Sequence, residues 1–151
     1  MRNFLVTGAA GFIGYEVCMQ LSHAGHNVIA LDGLVEGLYG KTEKLSRFKS
    51  LERMDRIQTM ELDLSKDDLS LLKNFAPIDI VINLAAMPGL RKSWEIFNQY
   101  VDSNIIATEK LARFFLIRGY LALSMFQRVL STANTQTVMR IRVLFQFHRT
   151  G

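Results

Sequence analysis

Thr7-Gly8-Ala9-Ala10-Gly11-Phe12-Ile13-Gly14 decides how this 151-residue chain is read. The apolar run Phe4-Leu5-Val6 leads into it, and a helix-like run from Phe12 to His23 leads out. Strand, glycine turn and helix in that order are the context of a phosphate-binding loop, where backbone N–H groups and the positive end of the helix meet one anion. The spacing is G-x-x-G-x-x-G, not G-x-G-x-x-G. Gly8 permits the tight turn. Gly11 lets a pyrophosphate approach the backbone with no Cβ in the way, and Gly14 lets the helix sit close on the strand.

Working outward, Phe12 to Ala24 has a helical period with Ile13, Val17, Leu21 and Ala24 on one face, and Gly25 suits its C-terminus. Val28 to Leu31 is a second apolar strand, ending in Asp32. A glycine-rich loop, 33–40, precedes a helix over Thr42 to Leu51 with Thr42 as its N-cap. Ile57 to Leu62 is a third strand, followed by Asp63-Leu64-Ser65. Ser65 is the expected cap of a helix from Lys66 to Phe75, with Asp67 and Asp68 in its first turn. Ile78 to Asn83 is a fourth strand whose apolar run implies burial on both faces, as in a parallel sheet. Leu84 to Gly89 turns the chain into a long helix, Ser93 to Arg118, with Ile105, Leu111, Phe114 and Phe115 among its apolar positions. Strands alternating with helices predict an α/β, doubly wound parallel sheet. Ligands of such sheets sit at the C-terminal ends of the strands, where the glycine loop, Asp32, Asp63 and Ala85-Ala86 all fall.

Asp32 follows Gly14 by 18 residues. A carboxylate at the end of the second strand can accept both ribose hydroxyls of an adenosine and repels a 2′-phosphate, which favours NAD over NADP. An ordinary strand-end aspartate that starts a turn fits the same position.

Composition sets bounds. The chain is 49% hydrophobic and long enough for one domain with a buried core. No run reaches the length of a membrane span, and Met1-Arg2 leads directly into the first strand without a leader pattern. Cys18 is the single cysteine, which excludes a disulfide framework; it is expected in the core, and a cytoplasmic location is expected. The net charge of +4 conceals a split. Residues 1–109 carry 11 basic and 14 acidic side chains, a net −3, whereas residues 110–151 carry 7 basic and no acidic ones. Such a break marks a functional basic tail or a segment of different origin.

The glycine spacing, with Thr7 before it and Phe12-Ile13-Gly14 completing it, resembles the extended short-chain dehydrogenase/reductase family, the NAD-dependent epimerases and dehydratases of nucleotide sugars. The likeness runs from residue 2 to about 117 and is greatest to 4-epimerases of UDP-hexoses and UDP-uronates. It implies a Rossmann-like fold, truncated before the C-terminal substrate domain, with residues 1–117 as a partial NAD-binding domain. It implies that Gly8, Gly11, Phe12, Ile13 and Gly14 line the cofactor. Asp63-Leu64 matches the family's Asp-Leu, whose acid meets the adenine amino group, although a helix-capping aspartate fits as well. Leu84-Ala85-Ala86 matches the turn whose small side chains admit the ribose and nicotinamide. Asn83 stands where the family often has His, and Gly33 where it often has Asn. Arg91 matches a loop arginine that faces an anionic sugar nucleotide, with a solvated surface arginine as the alternative. Asn104, within Tyr100-Val101-Asp102-Ser103-Asn104, matches an asparagine near the active site. The family's partner is a small nucleotide-sugar substrate; no nucleic-acid motif or membrane segment is present, and oligomeric state is left open.

The family's chemistry needs a Tyr-x-x-x-Lys pair: the tyrosine takes a proton from a sugar hydroxyl and the lysine lowers its pKa. Four residues after Tyr15, Tyr39, Tyr100 and Tyr120 stand Met19, Glu43, Asn104 and Ser124, so the pair is missing. The tail offers an explanation. Back-translated and slipped by one base, Phe126 to Ala133 admits Val-Ser-Thr-Ser-Ser-Val-Tyr-Gly. Phe147 to Gly151 admits Ile-Ser-Pro-Tyr-Gly. Both resemble the family's catalytic half. Residues 118–151 are therefore read as an atypical basic tail, the out-of-frame reading of an epimerase gene. This tail lacks the turn residues that would close a fifth strand and is expected to be the least ordered part. Evolved protein is the other reading, with Val138 to His148 as an alternating strand. The function that follows is an NAD-binding fragment of a nucleotide-sugar 4-epimerase without turnover. A dinucleotide-sensing module without catalysis and a basic interaction protein on a Rossmann scaffold stand as alternatives.

Overall fold

The computed structural model describes residues 1–35, 40–87, 95–116 and 122–125. Five parallel strands form one sheet: β1 (Asn3–Thr7), β2 (Asn27–Asp32), β3 (Ile57–Glu61), β4 (Ile80–Asn83) and β5 (Ala122–Met125), in the order β3-β2-β1-β4-β5. The chain leaves β1 toward β2 and β3, then crosses back to place β4 on the other side of β1. That reversal opens a crevice at the C-terminal ends of β1 and β4, the place where doubly wound sheets bind ligands. The four strands expected from the sequence are present, with ends shifted by one or two residues.

The helices depart further from expectation. Helix α1 (Phe12–His23) buries Gly14, Cys18 and Ser22 most deeply; of the expected stripe, Val17 and Leu21 pack half-buried against the same core, whereas Ile13 and Ala24 are exposed. A Cβ on Gly14 would stand 2.1 Å from the Gly8 carbonyl oxygen, so the helix turns its smallest residues toward the strand and comes in close. Ile13 is left 49% exposed and Phe12 67% exposed at the mouth of the crevice. Cys18 is in the core as expected, and burial pushes its thiol up to about 12. Gly25 closes the helix in the left-handed region (φ +83°), its N–H on the Ser22 carbonyl.

Helix α2 (Lys41–Glu52) begins one residue before the expected Thr42, with Gly40 as its N-cap. After β3, a 3₁₀ helix spans Leu69–Asn74 and is capped by Asp68, which accepts from Ser70 N–H at 2.8 Å. Ser65 is not the cap, because its hydroxyl is spent on Asp63. The long helix expected over 93–118 runs without a gap from 97 to 116, as α3 (Phe97–Val101), a π-helical turn (Asp102–Ile106) that was not expected, and α4 (Ala107–Leu116). Ala107, Leu111 and Phe115 of α4 join Leu5, Ile29, Leu31, Leu62 and Val81 in the largest core cluster.

The expectation that no fifth strand closes onto the sheet is overturned. Ala122–Met125 pairs in parallel with β4, Ile80 opposite Ala122 and Asn83 opposite Met125. The free backbone edge of β4 supplies the ladder that a turn motif was expected to provide. The alternating stretch from Val138 to His148 and the segments 126–133 and 147–151, expected from the sequence to be out of frame, lie outside the described residues. No helix among the described residues is long and apolar enough to cross a membrane.

The α1 contact can be tested directly. Gly14→Ala places a methyl group into a backbone carbonyl that cannot yield, and is expected to lower the melting temperature by about 5 °C or more. Gly40→Ser, where a Cβ meets nothing within 4 Å, is expected to leave it nearly unchanged. Circular dichroism melts of the two variants check the pair.

Candidate functional site

Gly8 ends β1 in the left-handed region (φ +69°), and a Cβ there would fall 2.7 Å from the Leu84 carbonyl oxygen and 2.8 Å from the Ala85 nitrogen. Only glycine lets the end of β1 lie against the turn after β4. Thr7, fully buried, fastens the same junction with its side chain. Its hydroxyl donates to Asn83 Oδ1 at 2.5 Å and accepts the N–H groups of Leu84 and Ala85, each at 3.2 Å. Asn83 then donates to the Thr108 hydroxyl at 3.3 Å, which links β4 to α4. The Leu84-Ala85-Ala86 turn is thus held from one side by a chain of buried polar groups. From the other side, Asn104 takes the Met87 N–H on Oδ1 (2.7 Å) and gives its amide to the Met87 carbonyl (3.2 Å). Asn104 reaches that backbone from the π-helical turn, a distortion that often marks functional positions.

The glycine loop is tied to β2 in the same way. Ala9 N–H donates to the Leu31 carbonyl, and Ala10 N–H donates to Asp32 Oδ2 at 3.0 Å. Asp32 Oδ1 accepts Leu34 N–H at 2.8 Å and pairs with Lys44 Nζ at 3.3 Å. Asp32 is only 4% exposed, so this carboxylate both orders the loop and stands at the edge of the crevice. Leu34 pays for the turn with a left-handed φ of 48°, held there by packing with Ala10 and Phe48. The two readings of Asp32, turn former and ribose acceptor, are compatible in this geometry.

Asp63 sits at the end of β3 beside Gly33, where a Cβ would come within 3.0 Å of the Asp63 Cα. Partial burial raises its carboxyl. The Ser65 hydroxyl and N–H, at 2.6 and 3.0 Å, and the Lys66 ammonium at 3.4 Å outweigh that and hold it below the ordinary value. Leu64 beside it is buried in the core.

The structure therefore gathers Gly8, Gly11, Gly14, Asp32, Leu84 and Ala85 about the β1–β4 crevice. Asp63 flanks it, Phe12 and Ile13 lie at its mouth, and Asn104 braces its turn. Arg91 lies outside the described residues. The sequence reading gave no role to Thr7, Thr108 or Lys44. A threonine directly before the first glycine is the signal that was available for one of them.

The cradle fits a dinucleotide. The N-terminus of α1 has no side-chain cap, which leaves its first-turn N–H groups for an anion, and the glycine turn leaves the backbone bare beside it. Asp32 then lies one strand over, at the end of β2.

Comparisons with known proteins agree with this architecture. The model of the NAD dependent epimerase/dehydratase family matches residues 4–133. The chain belongs to that family. Among curated proteins it is 40% identical over 112 residues to the uncharacterized UDP-glucose epimerase YtcB of Bacillus subtilis, covering 72% of this chain and 34% of that protein. It is 34% identical over 107 residues to a probable UDP-glucuronate 4-epimerase of Rhizobium meliloti, covering 70% and 31%. The crystal structure of UDP-glucuronic acid 4-epimerase from Bacillus cereus with UDP-glucuronic acid and NAD matches with a TM-score of 0.72 and 32% identity, over 94% of this chain and 46% of that one. The chain spans about a third of the length of these curated relatives.

Two measurements probe the junction. Thr7→Val keeps the shape but leaves Asn83 Oδ1 and Ala85 N–H without their partner, at an expected cost of about 2–4 kcal/mol in urea unfolding, while Thr7→Ser retains most of the stability. Asp63 has a depressed folded pKa. Its stabilisation is fully present above about pH 4, the unfolded aspartate value, and is lost as the pH falls through the folded value. Asp63→Asn is expected to flatten that acid limb in unfolding measured across the same range.

Proposed function

We propose that this chain binds NAD at the C-terminal ends of β1, β2 and β4, as the cofactor-binding part of a nucleotide-sugar 4-epimerase, and does not itself epimerise. The observation that carries the reading is the meeting of Gly8, Gly14 and Asp32 at the point where strand order reverses. The α1 N-terminus and the turn at Gly11 would take the pyrophosphate. Asp32 would accept the adenosine ribose hydroxyls, and Asp63-Leu64 would border the adenine. Leu84-Ala85-Ala86 would admit the nicotinamide half, with Phe12 and Ile13 covering the loop. NAD binding is expected to be weak, because no later part of the chain is assigned to enclose the nicotinamide.

Bound NAD would supply a hydride acceptor for a sugar carbon. The sequence holds no Tyr-x-x-x-Lys pair to take the accompanying proton. A sugar hydroxyl ionises far above neutrality, and no tyrosine here has a lysine four residues on. Asn104, spent on the Met87 backbone, orders the turn but cannot take that proton. UDP-glucose and UDP-glucuronate are the proposed substrate class of the intact parent, with Arg91 proposed to face the anionic part. Residues from about 118 on are proposed to be the out-of-frame reading of that parent's catalytic half, although the family match continues in frame to residue 133. The gene sequence across codons 118–151 decides this: a downstream frame encoding Tyr-x-x-x-Lys supports it, and its absence favours a dinucleotide-sensing module.

Isothermal titration with NAD, beside an assay of UDP-glucose and UDP-glucuronate conversion, tests the proposal. Measurable heat of binding without turnover is the expected result, and epimerisation by the 151-residue chain would overturn it. Asp32→Asn, which keeps the size of the side chain, is expected to weaken NAD by about tenfold or more by loss of a charged acceptor. An unchanged affinity would remove Asp32 from the ribose site.

A further inference from the structure

We infer that Lys110 is a positioning residue for the adenine edge of the crevice, holding the turn that aims the Asp63 carboxylate; the inference rests on the NAD-binding reading above. After β3 the chain makes one tight turn, in which the Asp63 carbonyl accepts the N–H groups of Lys66 (3.1 Å) and Asp67 (2.8 Å). The Asp67 carboxylate folds back to take the Asp63 N–H at 2.7 Å. Lys110 closes the turn from outside. Its ammonium donates to the Ser65 and Asp67 carbonyls, each at 3.1 Å, across 45 and 43 residues of sequence. The nearby carboxylates are engaged elsewhere: Asp67 on the Asp63 N–H, Asp68 on the Ser70 N–H and Glu109 on Arg113.

Lys110 can hold the turn because its helix is fixed. Ala107, Leu111 and Phe115 of α4 share one core cluster with Leu64, Leu69 and Leu72. Two residues before Lys110, Thr108 accepts from Asn83, and Asn104 holds the Met87 backbone. One helical run thus braces both the turn after β4 and the turn after β3. The second turn matters because it divides the two oxygens of Asp63. Oδ1 accepts the N–H and the hydroxyl of Ser65, at 3.0 and 2.6 Å. Oδ2 has the Lys66 ammonium at 3.4 Å, on a side chain that is 76% exposed. Oδ2 is therefore the oxygen left to accept from an adenine amino group. Ser65 fixes Oδ1, and Lys110 fixes Ser65 by its carbonyl. Without the ammonium Ser65 can turn away, and the carboxylate loses its direction.

Titration of the full chain, wild type and Lys110→Met, with NAD and with its hypoxanthine analogue tests the inference. The analogue carries a ring carbonyl in place of the adenine amino group, so it has no donor for Asp63. The wild type is expected to prefer NAD by about tenfold. Lys110→Met, which keeps the stem but removes the donors, is expected to cut that preference to about threefold or less, and Lys110→Arg to restore most of it. Without nucleotide, the Lys66 and Asp67 amides of Lys110→Met are expected to exchange with water about tenfold faster than in the wild type. Loss of a cation alone slows base-catalysed exchange, so an acceleration reports opening of the turn. A lysine that only anchors α4 would weaken both nucleotides alike, and that outcome, or unchanged exchange, overturns the inference. Should Lys110→Met fail to fold, Lys110→Gln against Lys110→Arg carries the same comparison. Equal wild-type binding of NAD and its analogue overturns the inference and leaves the NAD-binding reading intact; binding of neither removes both.

Discussion

The close approach of backbone to backbone at Gly8 governs the rest of the structure. One side of Gly8 lies against the Leu84–Ala85 peptide, and its carbonyl lies where a Cβ on Gly14 would stand. The first contact brings β4 and its turn to the end of β1. The second sets the depth and rotation of α1, and with them the direction of its free N–H groups. Thr7 locks the first contact with one hydroxyl that serves three partners. The crevice is what remains between these surfaces, and Asp32 borders it because the same loop is tied to β2 through Ala10.

Much of this was legible in the sequence, for identifiable reasons. The strands are short, apolar and separated by helical runs, so the alternation of a doubly wound sheet showed plainly. Asp32 showed because a carboxylate at the end of a buried strand is a marked position. The buried face of α1 showed only in part. Hydrophobic periodicity points to Ile13, Val17 and Leu21, of which Val17 and Leu21 do pack half-buried on the core, but the steric demand of Gly14 against Gly8 turns Gly14, Cys18 and Ser22 deepest and leaves Ile13 exposed. The cap at Ser65 failed because two acids, Asp63 and Asp68, compete for nearby hydroxyls and each takes its own serine.

The π-helical turn at Asp102–Ile106 and the strand Ala122–Met125 were illegible for a different reason. Each is decided by a partner distant in sequence: the Met87 backbone for the first and the open edge of β4 for the second. No local pattern announces such pairings. Lys44 belongs to the same class, since only the fold places it beside Asp32. The missing Tyr-x-x-x-Lys pair, by contrast, is a fact of the sequence that no fold could alter. It is the basis for proposing that this chain, although a member of an epimerase/dehydratase family, does not turn over. What the described residues assemble is the glycine turn, its junction with β4 and the Asp32 edge, the parts proposed to hold a cofactor.

The central claim is that a dinucleotide lies across the β1–β4 crevice against the glycine loop. Amide chemical-shift mapping of the ¹⁵N-labelled chain during titration with NAD tests it most directly, because it reports position as well as binding. The account requires saturable shifts that cluster at Gly8 to Gly14, Asp32 to Leu34 and Leu84 to Ala86, and leave the opposite ends of the strands, near Asn3, Asn27 and Ile57, unmoved. Saturable shifts centred elsewhere, or none at saturating NAD in a folded chain, would contradict it.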